Sequence, residues 1–127
     1  MDEALWAEIR AIERALSVLR LPAAPEEYDI HELVSGALAA AGLEARHEVS
    51  LGSGCRIDFV CGGVGIEVKK GRVAPAVMRR QAARYAASGR VRALILVAPG
   101  DLRMPREIGG VPVRCLALAR LWGVALP

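Results

Sequence analysis

A chain of 127 residues is expected to form one domain, and a hydrophobic share of 54% provides a full core and excludes a disordered segment. With aromatic residues at only 4%, that core has to be assembled from Ala, Val, Leu and Ile. The 17 Lys and Arg against 14 Asp and Glu give a formal charge of +3 and a pI near 9.1, an excess too mild to identify a partner by itself.

The basic residues are unevenly placed. Residues 79–106 carry Arg79, Arg80, Arg84, Arg90, Arg92, Arg103 and Arg106 against Asp101 alone. That run admits a polyanionic partner, although a solvated arginine-rich surface accounts for it equally and is favoured on charge alone. Cys55, Cys61 and Cys115 are spaced neither as a zinc module nor as a disulfide framework, so a reducing, cytoplasmic location is expected. Met1-Asp2-Glu3 is acidic with no long apolar run after it, so no signal peptide is expected. No stretch reaches the roughly 20 apolar residues of a membrane helix.

In chain order, residues 2–20 read as a helix, because Leu5, Ile9, Ile12, Leu16 and Leu19 recur at steps of four and three. Packing of that stripe onto its own domain is favoured, and a homodimer seam is the sharper alternative. Leu21-Pro22-Ala23-Ala24-Pro25 breaks the helix. A second helix is predicted from Glu26 to Ala41, with Ile30, Leu33, Val34, Ala37 and Ala41 as its apolar stripe and Gly42 as its stop. Strands follow over 45–51, 56–61 and 64–69, separated by Gly52-Ser53-Gly54 and by Gly62-Gly63. Pro75 opens a third helix that runs to Ser88 and stops at Gly89. The apolar run 91–98 reads as a buried central strand, 111–116 as a further strand and 117–122 as a short closing helix. The expected fold class is α/β, a mixed sheet flanked by helices.

The second and third strands carry the chemistry. If Gly62 and Gly63 form a two-residue turn, Cys61 pairs with Val64, Asp58 falls opposite Glu67, and Arg56 falls opposite Lys69. Alternation then puts Arg56, Asp58, Glu67 and Lys69 on one face and Ile57, Phe59, Cys61, Val64, Ile66 and Val68 on the apolar other. Directly opposed residues have Cβ atoms roughly 4.5–5.5 Å apart, so both charged pairs are like-charged at a costly distance. Diagonal salt bridges would make this an inert face. A divalent cation between Asp58 and Glu67 would instead remove their repulsion, and a phosphodiester would satisfy Lys69 and Arg56; Mg²⁺ suits two carboxylates completed by substrate phosphate.

Asp58 followed by Glu67-Val68-Lys69 resembles the PD-(D/E)xK nuclease superfamily, with Ile57 where the motif's Pro would stand. The resemblance spans roughly residues 26–116 and implies a restriction-endonuclease-like αβββαβ core preceded by an extra N-terminal helix. It implies a Mg²⁺-dependent (or Mn²⁺-dependent) deoxyribonuclease in which Asp58, Glu67 and the backbone carbonyl of Val68 bind metal and Lys69 orients or activates water. Gln81 and Tyr85 match the Gln-x-x-x-Tyr motif that RecB-like members carry on the following helix, where it helps place DNA and the lysine. RecB-like members also place a metal-binding His in the first core helix, and Holliday-junction-resolvase-like members a Glu. His31 and Glu32 are both candidates, about 100° apart on a helix, with Glu32 carried ahead of His31 and Glu27 third.

DNA contacts are expected from Arg56, Lys70, Arg72, Arg79, Arg80 and Arg84, to phosphates and without base specificity. Branched or single-stranded DNA suits so short a chain better than a long recognition site. Endonuclease and exonuclease action, a homodimer and a subunit of a larger nuclease assembly are all compatible with the residues. The competing expectations are an inactive nucleic-acid-binding module of the same fold and a toxin–antitoxin-like interaction domain whose partner surface is helix 2–20.

Overall fold

The computed structural model describes residues 2–19, 27–100 and 102–118. Along them run helices α1 (Glu3–Leu16) and α2 (Glu27–Ala40), strands β1 (Ala45–Gly52), β2 (Cys55–Cys61) and β3 (Val64–Val68), helix α3 (Pro75–Ala87), and strands β4 (Ala93–Ala98), β5 (Glu107–Ile108) and β6 (Val111–Ala117). The strands form one six-stranded sheet in the order β1-β2-β3-β4-β6-β5. Pairing is antiparallel from β1 to β3, parallel across β3, β4 and β6, and antiparallel again at β5. The fold is therefore α/β with a mixed sheet. Helix α3 is the crossover that a parallel β3–β4 pair requires. Among the described residues no helix is long and apolar enough to cross a membrane.

Both faces of the sheet are covered. Helices α1 and α2 pack over Phe59, Cys61, Val64, Ile66, Val68, Ala93, Ile95 and Val97. Helix α3 packs over Ile57, Val60, Leu94, Leu96 and Val113. Strand β4 feeds alternate side chains into each layer and is buried throughout, which is why its sequence is a continuous apolar run. It begins at Ala93 rather than at Val91.

The α1 stripe settles an ambiguity. Leu5, Ile9, Ile12, Leu16 and Leu19 are all buried in the layer beneath α1 and α2. Each such side chain contributes about 1.5–3 kcal/mol by leaving water. The stripe therefore serves the core of its own domain, as the favoured reading of the spacing expects, and is not available as a partner surface. The helix itself ends at Leu16, with Ser17 as its cap. On α2 the buried stripe is Ile30, Val34 and Leu38. Ala41, expected in that stripe, lies exposed just past the end of the helix, and Gly42 terminates it with a φ of 75°.

The Gly62-Gly63 turn forms as expected, pairing Cys61 with Val64. Ile57, however, does not share a face with Phe59; it packs on the α3 side with Met78, Ala82 and Tyr85. On β1, the partners pass from His47↔Phe59 to Val49↔Ile57 around Glu48, whose φ of 53° is left-handed. The interruption of alternation lies within β2 itself, between Ile57 and Phe59, since Val60 shares the α3 side with Ile57 while Phe59 and Cys61 face the other layer. Gly65 makes room for the displaced side chain, since a Cβ there would lie 2.6 Å from Ile57 Cδ1. Strand β5 and its Gly109-Gly110 turn were not anticipated. The 21–25 break, Glu26 as helix start, Asp101 and the closing helix from residue 119 onward lie outside the described residues; Ala117 belongs to β6.

Candidate active site

The β2–β3 ladder runs through Cys61↔Val64 and Val60↔Gly65 to Phe59↔Ile66 and stops there. Beyond it, side chains replace the backbone bonds. Val68 N–H donates to Asp58 Oδ2 at 2.7 Å, and Asp58 N–H donates to Glu67 Oε1 at 3.2 Å. The expected direct opposition of Asp58 and Glu67 is thus not a ladder pair but a reciprocal bridge, each carboxylate holding the other strand's backbone. The expected Arg56–Lys69 pair does not form. Lys69 N–H donates instead to Val97 carbonyl on β4 at 2.7 Å, and Arg56 is exposed on β2.

Glu67 is 5% exposed, the one charged residue in the buried class among those described. Lys69 Nζ lies 3.0 Å from Glu67 Oε2. Burial raises the Glu67 carboxyl above its ordinary pKa, and the neighbouring Asp58 charge raises it further, while the Lys69 ammonium and the Asp58 amide pull in the opposite direction.

Helix α3 forms the adjoining wall. Tyr85 is buried, and its hydroxyl donates to the Arg56 carbonyl at 3.2 Å. Burial, then the nearby Glu67 charge, raises its pKa so far that the phenol stays neutral. Gln81 is half-buried one turn earlier and lines a groove with Lys69, Val77, Arg80 and Arg84. Arg72 lines a separate cleft with Val73, Ala98, Pro99 and Leu102, past the ends of β3 and β4. Arg79 and Lys70 are exposed and line neither.

Helix α2 supplies the third side. His31 Nε2 lies 3.5 Å from Asp58 Oδ2, whereas Glu32 is exposed. The structure thus brings His31 rather than Glu32 to Asp58, a roll of α2 that goes with the burial of Ile30 and Val34. The side chain of Glu27 lies outside the described residues. One neighbour of the site escaped sequence reasoning altogether. His47 Nε2 lies 3.4 Å from His31 Nδ1, and its ring stacks on Phe59 with centroids 4.7 Å apart and planes at 18°. Continuing the hairpin register from β2 to β1 would have found it, since His47 is the partner of Phe59.

Among the described residues no group of three or more His, Cys, Asp or Glu side chains is gathered as a metal cluster. The two carboxylates nonetheless fit a hard cation, which commonly binds through one or two carboxylates and fills its shell with water and phosphate. The geometry behind that fit is the buried Glu67 carboxylate held beside Asp58 by the reciprocal backbone bonds, two hard oxygen donors at one end of β3. Cys55, Cys61 and Cys115 form no disulfide among the described residues. A comparison with protein-family models finds no match, and neither does one with curated proteins or one with solved structures.

Proposed function

We propose that the chain is a metal-dependent nuclease of the PD-(D/E)xK kind that hydrolyses phosphodiester bonds in DNA. The element order α2-β1-β2-β3-α3-β4 supports a restriction-endonuclease-like core. One observation carries the chemical reading. Glu67 is buried beside a second carboxylate, Asp58, with the Lys69 ammonium 3.0 Å away. Burying a carboxylate beside a like charge costs stability, a cost that active sites commonly carry for what they bind.

Asp58, Glu67 and the Val68 carbonyl would hold Mg²⁺ or Mn²⁺, with His31 beside Asp58. When bound, such an ion polarises a phosphoryl oxygen and acidifies a water. Lys69 orients that water from the groove side and stabilises negative charge developing on the phosphate. Tyr85, neutral and tied to the Arg56 carbonyl, keeps α3 against the catalytic strand. Arg56, Arg72, Arg80 and Arg84 offer phosphate contacts that position a strand without reading its sequence. Single-stranded or branched DNA fits such contacts.

A second reading has its own support. Both carboxylates also cap backbone amides, so they would hold the hairpin together in an inactive nucleic-acid-binding module or in a non-catalytic subunit of a larger assembly. The deciding experiment incubates wild type, Asp58→Asn, Glu67→Gln and Lys69→Met with linear, circular and branched DNA, and with RNA, in Mg²⁺, Mn²⁺ or EDTA. Metal-dependent cutting by wild type and its loss in three folded variants establishes the nuclease. Cutting of circles assigns endonuclease action. Binding without cutting under every metal leaves the inactive module.

A further inference from the structure

We infer that the cleft past the ends of β3 and β4 holds an unpaired nucleobase of the strand being cut, next to the phosphate at Lys69. The inference deepens the nuclease reading and rests on it. The cleft has a volume of about 560 Å³, within the roughly 300–1,000 Å³ of small-ligand sites. Gly71, Arg72 and Val73 line one side, in the link from β3 to α3. Ala98, Pro99, Gly100 and Leu102 line the other, at the end of β4 and just beyond it.

The sheet puts this cleft beside the acidic pair. Val68 pairs with Val97, and Lys69 N–H donates to the Val97 carbonyl at 2.7 Å. Ala98, next in chain, is already a cleft residue. The Val68 amide, on the same rung, is held by Asp58 Oδ2 at 2.7 Å. A strand advances about 3.3 Å per residue, so the cleft opens within reach of the nucleotide that neighbours a phosphate at Asp58 and Glu67. Lys69 also borders the α3 groove with Arg80 and Arg84. A strand whose phosphates follow that groove arrives at Lys69 with its next nucleotide at the cleft.

The lining suits a base. Val73, Ala98, Pro99 and Leu102 present apolar side chains without hydrogen-bonding groups, which take the flat face of any base by contact. Arg72 is exposed at the rim and offers its guanidinium to the nucleotide's phosphate. A base inside a duplex is paired and stacked, so its entry carries the cost of extrusion, and that cost is least for a single strand. The cleft therefore favours single-stranded ends, flaps and gaps as substrate, and favours no particular base.

The test uses the full chain. In EDTA, dAMP is expected to shift the methyl NMR signals of Val73 and Leu102, and inorganic phosphate to leave them unmoved. Neither Gly71 nor Gly100 has a left-handed φ, and a Cβ at either would meet nothing within 4 Å. Gly71→Leu and Gly100→Leu are thus expected to fold, to narrow the cleft and to abolish the dAMP shifts. Arg72→Ala should weaken dAMP about 3–5-fold, as loss of one exposed charge pair does. In Mg²⁺, wild type should cut single-stranded DNA about 10-fold or more faster than duplex of the same sequence, and both Leu variants should bring that ratio toward one. Val73 and Leu102 signals unmoved by dAMP, equal shifts from inorganic phosphate alone, or a wild-type ratio in both folded Leu variants overturns the inference and leaves the nuclease standing. If wild type cuts no DNA under any metal, the nuclease reading falls and takes the role of the cleft with it.

Discussion

Asp58 and Glu67 hold each other's strands: the Asp58 amide donates to the Glu67 carboxylate at 3.2 Å, and the Asp58 carboxylate accepts the amide of Val68, next in chain to Glu67, at 2.7 Å. The two acids are kept close at the point where the backbone ladder has ended, and the repulsion between them has a measurable cost.

That cost gives a pH-dependent prediction. The Glu67 carboxyl is raised in the fold, first by burial and then by Asp58. A raised carboxyl favours folding in its protonated form. Its contribution is present below the unfolded value of about 4.3 and is lost as pH rises through the higher folded value. Without metal, Glu67→Gln is therefore expected to be more stable than wild type at pH 8, by roughly 1 kcal/mol, or about 3–6 °C in Tm for a domain of this size. The gain should vanish toward pH 4. Thermal melts in EDTA across that range measure it, and a variant less stable at pH 8 than at pH 4 relative to wild type contradicts it.

Tyr85 separates packing from hydrogen bonding. Tyr85→Phe keeps the ring and removes the hydroxyl with its bond to the Arg56 carbonyl and its contact with Glu67, and should cost about 1 kcal/mol. Tyr85→Ala also empties a fully buried volume and should cost about 3–5 kcal/mol. Urea melts distinguish the two. Equal losses would mean that the ring contributes nothing beyond its hydroxyl.

Gly65 faces Ile57 Cδ1 at 2.6 Å, Val91 Cγ1 at 3.0 Å and Leu94 Cδ2 at 3.2 Å from the place a Cβ would occupy. Gly65→Ala should overpack this layer and cost about 1–3 kcal/mol. Ile57→Val deletes the nearest of those atoms. In a double-mutant cycle it should recover part of the loss, so strict additivity of the two changes would refute the contact.

Arg80 and Arg84 line the Lys69 groove, and Arg79 is exposed on the same helix outside it. In an Asp58→Asn background, fluorescence anisotropy against salt should give shallower slopes for Arg80→Ala and Arg84→Ala, by about 1 each. Arg79→Ala should change the slope less. A slope unmoved by either groove arginine would remove the groove from the DNA path.

How far the site could be read from the sequence depends on what each signal encodes. The Gly62-Gly63 turn is local, so the spacing of Asp58, Glu67 and Lys69 followed from it. The same signal, Gly109-Gly110 between Glu107-Ile108 and Val111, also marks a hairpin, but two residues are too few to display alternation, and β5 passed unseen. The α1 stripe was ambiguous because heptad spacing serves a core as well as a partner; only its burial decides. The face of Ile57 depends on a break in alternation between Ile57 and Phe59, which the residue types of β2 do not announce. His31 outranks Glu32 only once the burial of Ile30 and Val34 fixes the roll of α2, a tertiary fact.

The left-handed Glu48 has an effect of its own. Strand β1 is an open margin of the sheet, where a row of unpaired amides and carbonyls would invite another chain to add a strand. Glu48 is left-handed in mid-strand, the pairing shifts between Ser50 and Gly52, and Arg46 and Glu48 put exposed charge along the row. Backbone irregularity and charge along an open margin discourage strand addition, so the same residues that shape β1 also guard the protein against edge-to-edge aggregation.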